Sequence, residues 1–362
     1  IKEMKDTKKQ KELFTLSKNG KNVIVFMLDR AISGYIPYLF EEKPILKEQF
    51  AGFTYYPNTL SYGFCTNFGT PALFGGYEYT PTEMNKRSSE RLEAKQNEAL
   101  KVLPVLFSEN GFDVSIFDPP YAGYKWIPDL SVFADYPAIK AHITGGGALQ
   151  NPALKMQTDE NALLQNNRNF FCYSIFRTVP QAFAVIFYSN GNYYNSSEQQ
   201  STQGFFNEYS VLTLLPELTA ITDEEKDCYA SFANCATHEP CELQLPDYEL
   251  KSKIDNTGYK TAADGKIAME NKNQIIHYHA NMASLLALGK WFDFMRENGV
   301  WDNTRIIIVA DHGRGLSQFD YMMLKNPNID VQWCNPLLMV KDFGAADFTT
   351  SNEFMTNADV PT

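Results

Sequence analysis

No stretch of this 362-residue chain approaches the roughly 18 consecutive apolar residues that a membrane-spanning helix needs. A basic face is missing as well. Lys and Arg number 32 against 43 Asp and Glu, the formal charge is -11, and the only basic cluster is the opening, Lys2 to Lys11. Without a positive stripe to neutralise phosphates, nucleic acid is excluded as a partner. Six cysteines are too few for a disulfide framework at this length. Three of them, Cys228, Cys235 and Cys241, crowd into one turn-rich segment, where a disulfide and a zinc knuckle lacking the close C-x-x-C pair both stay open. Histidine is scarce too, with five residues: His142, His238, His277, His279 and His312.

What is present is apolar and aromatic: 44% of residues are hydrophobic and 14% aromatic, enough for a substantial globular core. Two continuous apolar runs stand out. Val23 to Leu28 closes on Asp29, and Ile306 to Ala310 closes on Asp311-His312-Gly313. Runs of this kind are what strands buried on both faces of a parallel sheet require. Parallel sheets bind ligands at the carboxyl ends of their strands, so Asp29, Asp311 and His312 are expected on one rim. Two carboxylates and an imidazole in one place point to a divalent cation.

The stretch Ile36 to Phe50 reads as one short amphipathic helix. Ser88 to Glu109 reads as another, with Pro104 expected to break or kink it and Gly111 placed to cap it. Val114 to Phe117 then reads as a strand, giving β-α-β order. Ala280 to Asn298 is again helical by spacing, ending at Gly299. Residues 1–20 read as a polar linker following a removed membrane anchor. Residues 21–362 read as one α/β catalytic domain, a mainly parallel central sheet with helices on both faces, whose middle (about 120–275) is irregular and rich in insertions. Gly145-Gly146-Gly147 in that middle lacks a following helix signal, so a flexible turn is favoured over a phosphate loop.

Candidate chemistry beyond the acids lies in three places. Thr66 and Thr70 precede Pro71; Thr70 is read as a helix N-cap with Pro71 at the first helical position, which leaves Thr66 unexplained. Thr237-His238-Glu239-Pro240 reads as a loop, where a lone histidine is by default a surface residue. His277 and His279, alternate residues just ahead of a helix, read as a structural pair, with a second metal site as the alternative.

In order and spacing, the segments Asn22 to Asp29, Thr66 five positions before Pro71, Thr237 to Pro240 and Ala310 to Gly313 resemble the sulfatase-like branch of the alkaline phosphatase superfamily. Within it the likeness is to lipoteichoic acid synthases and lipid phosphoethanolamine transferases. The resemblance implies an alkaline phosphatase-like fold in which Asp29, Asp311 and His312 bind a catalytic divalent cation, Mn2+ or Zn2+. It implies Thr66 as fourth ligand and nucleophile, and His238 as a contact to substrate phosphate or leaving group. Two residues depart from the nearest pattern. Asp29 stands where glutamate is usual, and Arg314 stands where phosphoethanolamine transferases carry glutamate, which makes Arg314 a candidate substrate-binding residue. The C-x-P-S-R or S-x-P-S-R segment of true sulfatases is replaced by Cys65-Thr66-Asn67-Phe68-Gly69, which disfavours sulfate ester hydrolysis.

The function so implied is transfer of a phosphate-linked head group, of phosphoglycerol or phosphoethanolamine type, from a phospholipid donor to a cell-envelope glycan or lipid through a phospho-threonine. The enzyme would work outside the cytoplasm, held at the membrane surface by an anchor. A phosphodiesterase or phosphonate hydrolase with the same site is the enzymatic alternative. A non-catalytic envelope protein that binds head groups is the alternative of another class, and retention of Asp29, Thr66, Asp311 and His312 argues against it.

Overall fold

The computed structural model describes residues 11–188, 203–251, 254–262, 265–325 and 328–362. In chain order the strands are β1 (Phe14–Ser17), β2 (Asn22–Leu28), β3 (Phe53–Tyr55), β4 (Thr59–Leu60), β5 (Asp113–Phe117), β6 (Ile139–His142), β7 (Thr219–Thr222), β8 (Cys228–Asn234), β9 (Thr304–Val309), β10 (Met323–Lys325), β11 (Asn328–Asp330), β12 (Leu338–Lys341), β13 (Thr349–Thr350) and β14 (Met355–Thr356). The α-helices are α1 (Ile36–Glu42), α2 (Ile45–Gln49), α3 (Thr66–Gly75), α4 (Pro81–Lys86), α5 (Leu92–Glu109), α6 (Pro152–Thr178), α7 (Gln181–Tyr188), α8 (Gln203–Leu218) and α9 (Lys272–Glu297).

Eight strands form the central sheet in the order β13-β3-β12-β9-β2-β8-β5-β6. From β9 to β6 every pairing is parallel, and β12 runs antiparallel to both of its neighbours. The fold is therefore α/β with a mainly parallel sheet, as the two apolar runs suggest. Alternation along β2 shows why neither face tolerates polar residues. Ile24, Phe26 and Leu28 pack into a core with Leu285, Leu288 and Trp291 of α9 and with α8. Val25 and Met27 pack on the other face with Leu73 and Phe74 of α3 and with Leu100 and Leu103 of α5. A strand covered by helices on both sides reads as a continuous apolar run.

Several expectations need correction. Residues 1–10 of the supposed linker lie outside the described residues, but the linker does not extend to residue 20. Phe14 and Leu16 are buried, and β1 pairs in parallel with β7. The middle is not irregular throughout: among the described residues it supplies α6, α7, α8 and, above all, β8, which lies between β2 and β5, while no α-helix or strand lies between the end of β8 and the start of α9. Pro44 divides the helix expected over residues 36–50 into α1 and α2, since a proline disfavours helical geometry in the residue before it. Pro104 does not end α5, which runs through to Glu109, and Gly111 follows with φ 85°. Among the described residues no helix is long and apolar enough to cross a membrane.

Candidate metal centre and active site

Register alone brings the two acids together. Met27 pairs with Val309 in the parallel β2/β9 ladder, so two steps further along the same rim Asp29 stands beside Asp311. The β2/β8 ladder ends with Leu28 opposite Asn234, and the Asp29 amide donates to the Asn234 carbonyl at 3.0 Å. The loop that follows β8 thus leaves from the same rim. Thr237 fastens it there, its hydroxyl donating to the Asp29 carbonyl at 2.5 Å. Three adjacent parallel strands deliver Asp29, the His238 loop and Asp311-His312 to one place, the position in an open α/β sheet where ligands bind.

Asp29, Asp311 and His312 are all buried, and one ligand atom from each lies within 4.8 Å of the other two. His312 Nε2 is 3.8 Å from Asp29 Oδ1 and 3.6 Å from Asp311 Oδ2. Those three atoms are buried without any hydrogen-bond partner. The rest of each group is accounted for. Asp311 Oδ1 accepts from the His312 amide at 2.9 Å and the Arg30 amide at 3.2 Å. His312 Nδ1 faces the Gly313 carbonyl at 2.6 Å, and because a carbonyl only accepts, Nδ1 carries the hydrogen. In the neutral ring, Nε2 is then a bare lone pair aimed between two carboxylates. Three acceptors with no donor among them, all out of water, are uncompensated unless a cation sits between them. Carboxylate and imidazole donors suit a divalent cation. Burial and the neighbouring Asp311 charge push the Asp29 carboxyl up to about 6.

Thr66 completes the cluster. It is the first residue of α3, and its hydroxyl donates to Asp29 Oδ2 at 3.4 Å. The positive end of a ten-residue helix favours negative charge there. Thr70 is not the cap expected of it. α3 starts a turn earlier, Cys65 takes the cap position, and Thr70 is interior, donating to the Thr66 carbonyl at 2.7 Å and accepting from Gln96 Nε2 at 3.2 Å. Pro71 is interior as well. α3 can approach this closely because Gly69 has no side chain: a Cβ there would meet the Asp311 carbonyl oxygen at 2.2 Å. Asn357, which went unnoticed in the sequence, braces the contact by donating to the carbonyls of Gly69 at 3.2 Å and Asp311 at 3.0 Å.

His238 is partly exposed, outside the three-residue ligand group, with Nδ1 3.7 Å from Glu239 Oε1, and its charge acts on Asp29. Arg314 is half-buried two residues beyond His312. His277 and His279 are not ahead of a helix but within α9, where alternate residues point to different sides. His279 Nδ1 bonds the Tyr248 hydroxyl at 2.7 Å, while His277 Nδ1 meets the Asn281 amide at 3.1 Å. Burial pulls both imidazoles down, His279 to about 3. His142 stacks on Phe117 at the end of β6, with its ring centroid 5.1 Å from that of Phe117.

The cysteines of the middle are free, and Cys228 opens β8 while Cys235 lies just past its end. A seven-residue strand keeps them about 20 Å apart, beyond any disulfide. Cys235 instead touches the centre, its Sγ 3.8 Å from Asp29 Oδ2. The glycine run is a turn held by acids: Asp118 accepts from the Gly145 amide at 3.1 Å and Glu208 from the Gly146 amide at 2.9 Å. With those amides taken, the run has no free cradle for a phosphate.

No protein-family model matches the chain, and no curated protein matches it by sequence. Solved structures do resemble it. A protein of the alkaline phosphatase superfamily from Vibrio parahaemolyticus aligns at 13% identity and TM-score 0.46, covering 95% of this chain and 65% of its own. A lipoteichoic acid synthase from Listeria monocytogenes aligns at 12% identity and TM-score 0.48, with 95% and 70% covered. An integral-membrane lipooligosaccharide phosphoethanolamine transferase from Neisseria meningitidis aligns at 10% identity and TM-score 0.45, with 97% and 57% covered. The chain thus spans less than two thirds of the Vibrio and Neisseria proteins.

Proposed function

We propose that this chain is a metal-dependent enzyme acting on phosphate esters, in which Asp29, Asp311 and His312 hold one divalent cation and Thr66 is the nucleophile. The observation that carries the reading is the set of three buried, partnerless ligand atoms with the Thr66 hydroxyl already bonded to one of the same carboxylates. The reaction proposed is transfer of a phosphate-linked head group from a phospholipid donor to a cell-envelope acceptor, by an enzyme held at the outer membrane-water boundary.

A divalent cation in this position supplies positive charge that favours an ionised hydroxyl and offsets the charge of a phosphate. The chain's own groups do the rest. Asp29 Oδ2 orients the Thr66 hydroxyl, and the start of α3 favours its oxyanion. Thr66 Oγ1 forms a bond to phosphorus as the bond to the leaving oxygen breaks. His238, outside the ligand group, donates a proton to that oxygen and then takes one from the acceptor hydroxyl, which displaces Thr66 and carries away the phosphoryl group. Arg314 contacts the substrate phosphate.

The test is mass spectrometry of the protein after incubation with metal and a phosphatidylglycerol or phosphatidylethanolamine donor. The reading expects a phospho-linked adduct on the peptide containing Thr66, absent in Thr66→Ala. An adduct on Thr70 or Cys65, or one that persists in Thr66→Ala, would overturn it. Release of the head group to water without an added acceptor would make the enzyme a hydrolase that uses the same site.

A further inference from the structure

Beside the three ligand atoms lies a second cluster, and it is cationic. Arg30 follows Asp29 directly in a left-handed backbone conformation, φ 63°, uncommon for a residue with a side chain and a feature of functional sites. Its Nε is buried without a partner. Arg314 enters from the β9 side, and among the described residues neither guanidinium has an ion pair or a side-chain hydrogen bond. His277 arrives from α9, 1% exposed. Asn281 bonds both its Nδ1, at 3.1 Å, and the Ile32 amide, at 3.3 Å, which ties α9 to the loop carrying Arg30. The remaining ring nitrogen, His277 Nε2, is buried with no partner. The charges of Arg314, Arg30 and His238 all act on His277, and that of Arg30 acts on Arg314. Four nitrogen-bearing groups, from the ends of β2, β8 and β9 and from α9, therefore share one electrostatic neighbourhood.

The charge there does not close. Asp29 and Asp311 would be balanced by the divalent cation they are proposed to hold, which leaves two guanidiniums close in sequence to the ligands without an ion pair among the described residues. A phosphate ester satisfies both, and an ammonium at the far end of the head group would bring a further positive charge up against them.

We propose that Arg30 and Arg314, with His277 and His238, form an anion clamp beside Thr66 that admits phosphate-linked groups with neutral or anionic ends and rejects those ending in an ammonium. This rests on the metal-and-threonine reading above and adds the substrate class to it. Arg30 and Arg314 bind phosphate oxygens, and His277, bonded to Asn281, fixes the position of the clamp from α9.

The test is isothermal titration of the metal-loaded protein with three probes that share a phosphate monoester and differ in the charge of the tail: 3-phosphoglycerate, glycerol 3-phosphate and phosphoethanolamine. Metal content is measured on the same preparation. The clamp predicts affinity falling in that order, with phosphoethanolamine weaker than glycerol 3-phosphate by roughly tenfold or more. Arg314→Glu should erase or reverse the order. Arg314→Gln, the milder change, should shrink it while keeping one metal per chain. Equal affinities in a protein that holds its metal, or a preference for phosphoethanolamine, would overturn the clamp and leave the metal site standing. Retained order in Arg314→Glu would overturn the role of Arg314. Discrimination among the probes in a protein that binds no metal would instead sink the metal reading and keep the clamp.

Discussion

At the scale of single residues, Thr66 and Thr70 sit four positions apart and do different things. Thr70 is fully buried between the Thr66 carbonyl and Gln96, so Thr70→Ala should cost about 1 kcal/mol of stability, seen in the denaturation midpoint, with metal content unchanged. Thr66→Ala should leave the midpoint nearly alone and lower turnover on the order of a thousandfold or more. Asp29 gives a pH signature. Its carboxyl is raised from an ordinary 3.8 to about 6 by burial and by Asp311, so the metal-free fold binds a proton there more tightly than the unfolded chain. That stabilisation is complete below the unfolded value and fades as pH rises through about 6. Metal-free Asp29→Asn should therefore be more stable than the parent near pH 7, with the gap narrowing as pH falls below about 6 and closing only below the ordinary value of 3.8. A gap that stays constant would mean Asp29 is not raised. The acids and His312 were legible in the sequence because a strand buried on both faces must end where its apolar run ends, and the residues at that point meet the solvent rim. Arg30 was passed over although it stands next to Asp29, since one charge after a strand end is ordinarily just a solvated side chain.

At the scale of elements, the site depends on how closely α3 approaches the end of β9. Gly69 permits it, and no rearrangement of a flexible side chain would relieve a Cβ placed 2.2 Å from the Asp311 carbonyl oxygen. Gly69→Ala should destabilise the fold by about 1–3 kcal/mol and weaken metal binding together, because α3 and Asp311 must separate. Unchanged metal affinity in that variant would detach α3 from the site. The elements divide by legibility along physical lines. β2 and β9 are rich in branched apolar residues and could be read directly. β8, Cys-Tyr-Ala-Ser-Phe-Ala-Asn, is buried along its whole length yet contains no Val, Ile or Leu, so nothing in its local composition marks it as a central strand. Only its pairing between β2 and β5 does so. The start of α3 was misplaced for a related reason: Thr-Pro is a strong local cap signal, and the packing of Gly69 against Asp311 outweighs it.

At the scale of the whole molecule, strands far apart in sequence meet at one rim, so binding there should be felt throughout the fold. Adding Mn2+ or Zn2+ at a hundredfold excess over its dissociation constant should stabilise the metal-stripped protein by about 2.7 kcal/mol, read as a rise in melting temperature. The same addition should do nothing for Asp311→Asn if the cation is held as proposed. The α/β architecture and the convergence of Asp29 with Asp311 could be anticipated from the two apolar runs. The position of the His238 loop could not, because it depends on β8. The most direct measurement is a calorimetric titration of metal-stripped protein with Zn2+ and Mn2+, run beside Asp29→Asn, Asp311→Asn and His312→Ala. The predicted result is one site per chain in the parent, weakened roughly a hundredfold or more in each variant. No binding by the parent, or binding that survives all three substitutions, would contradict it.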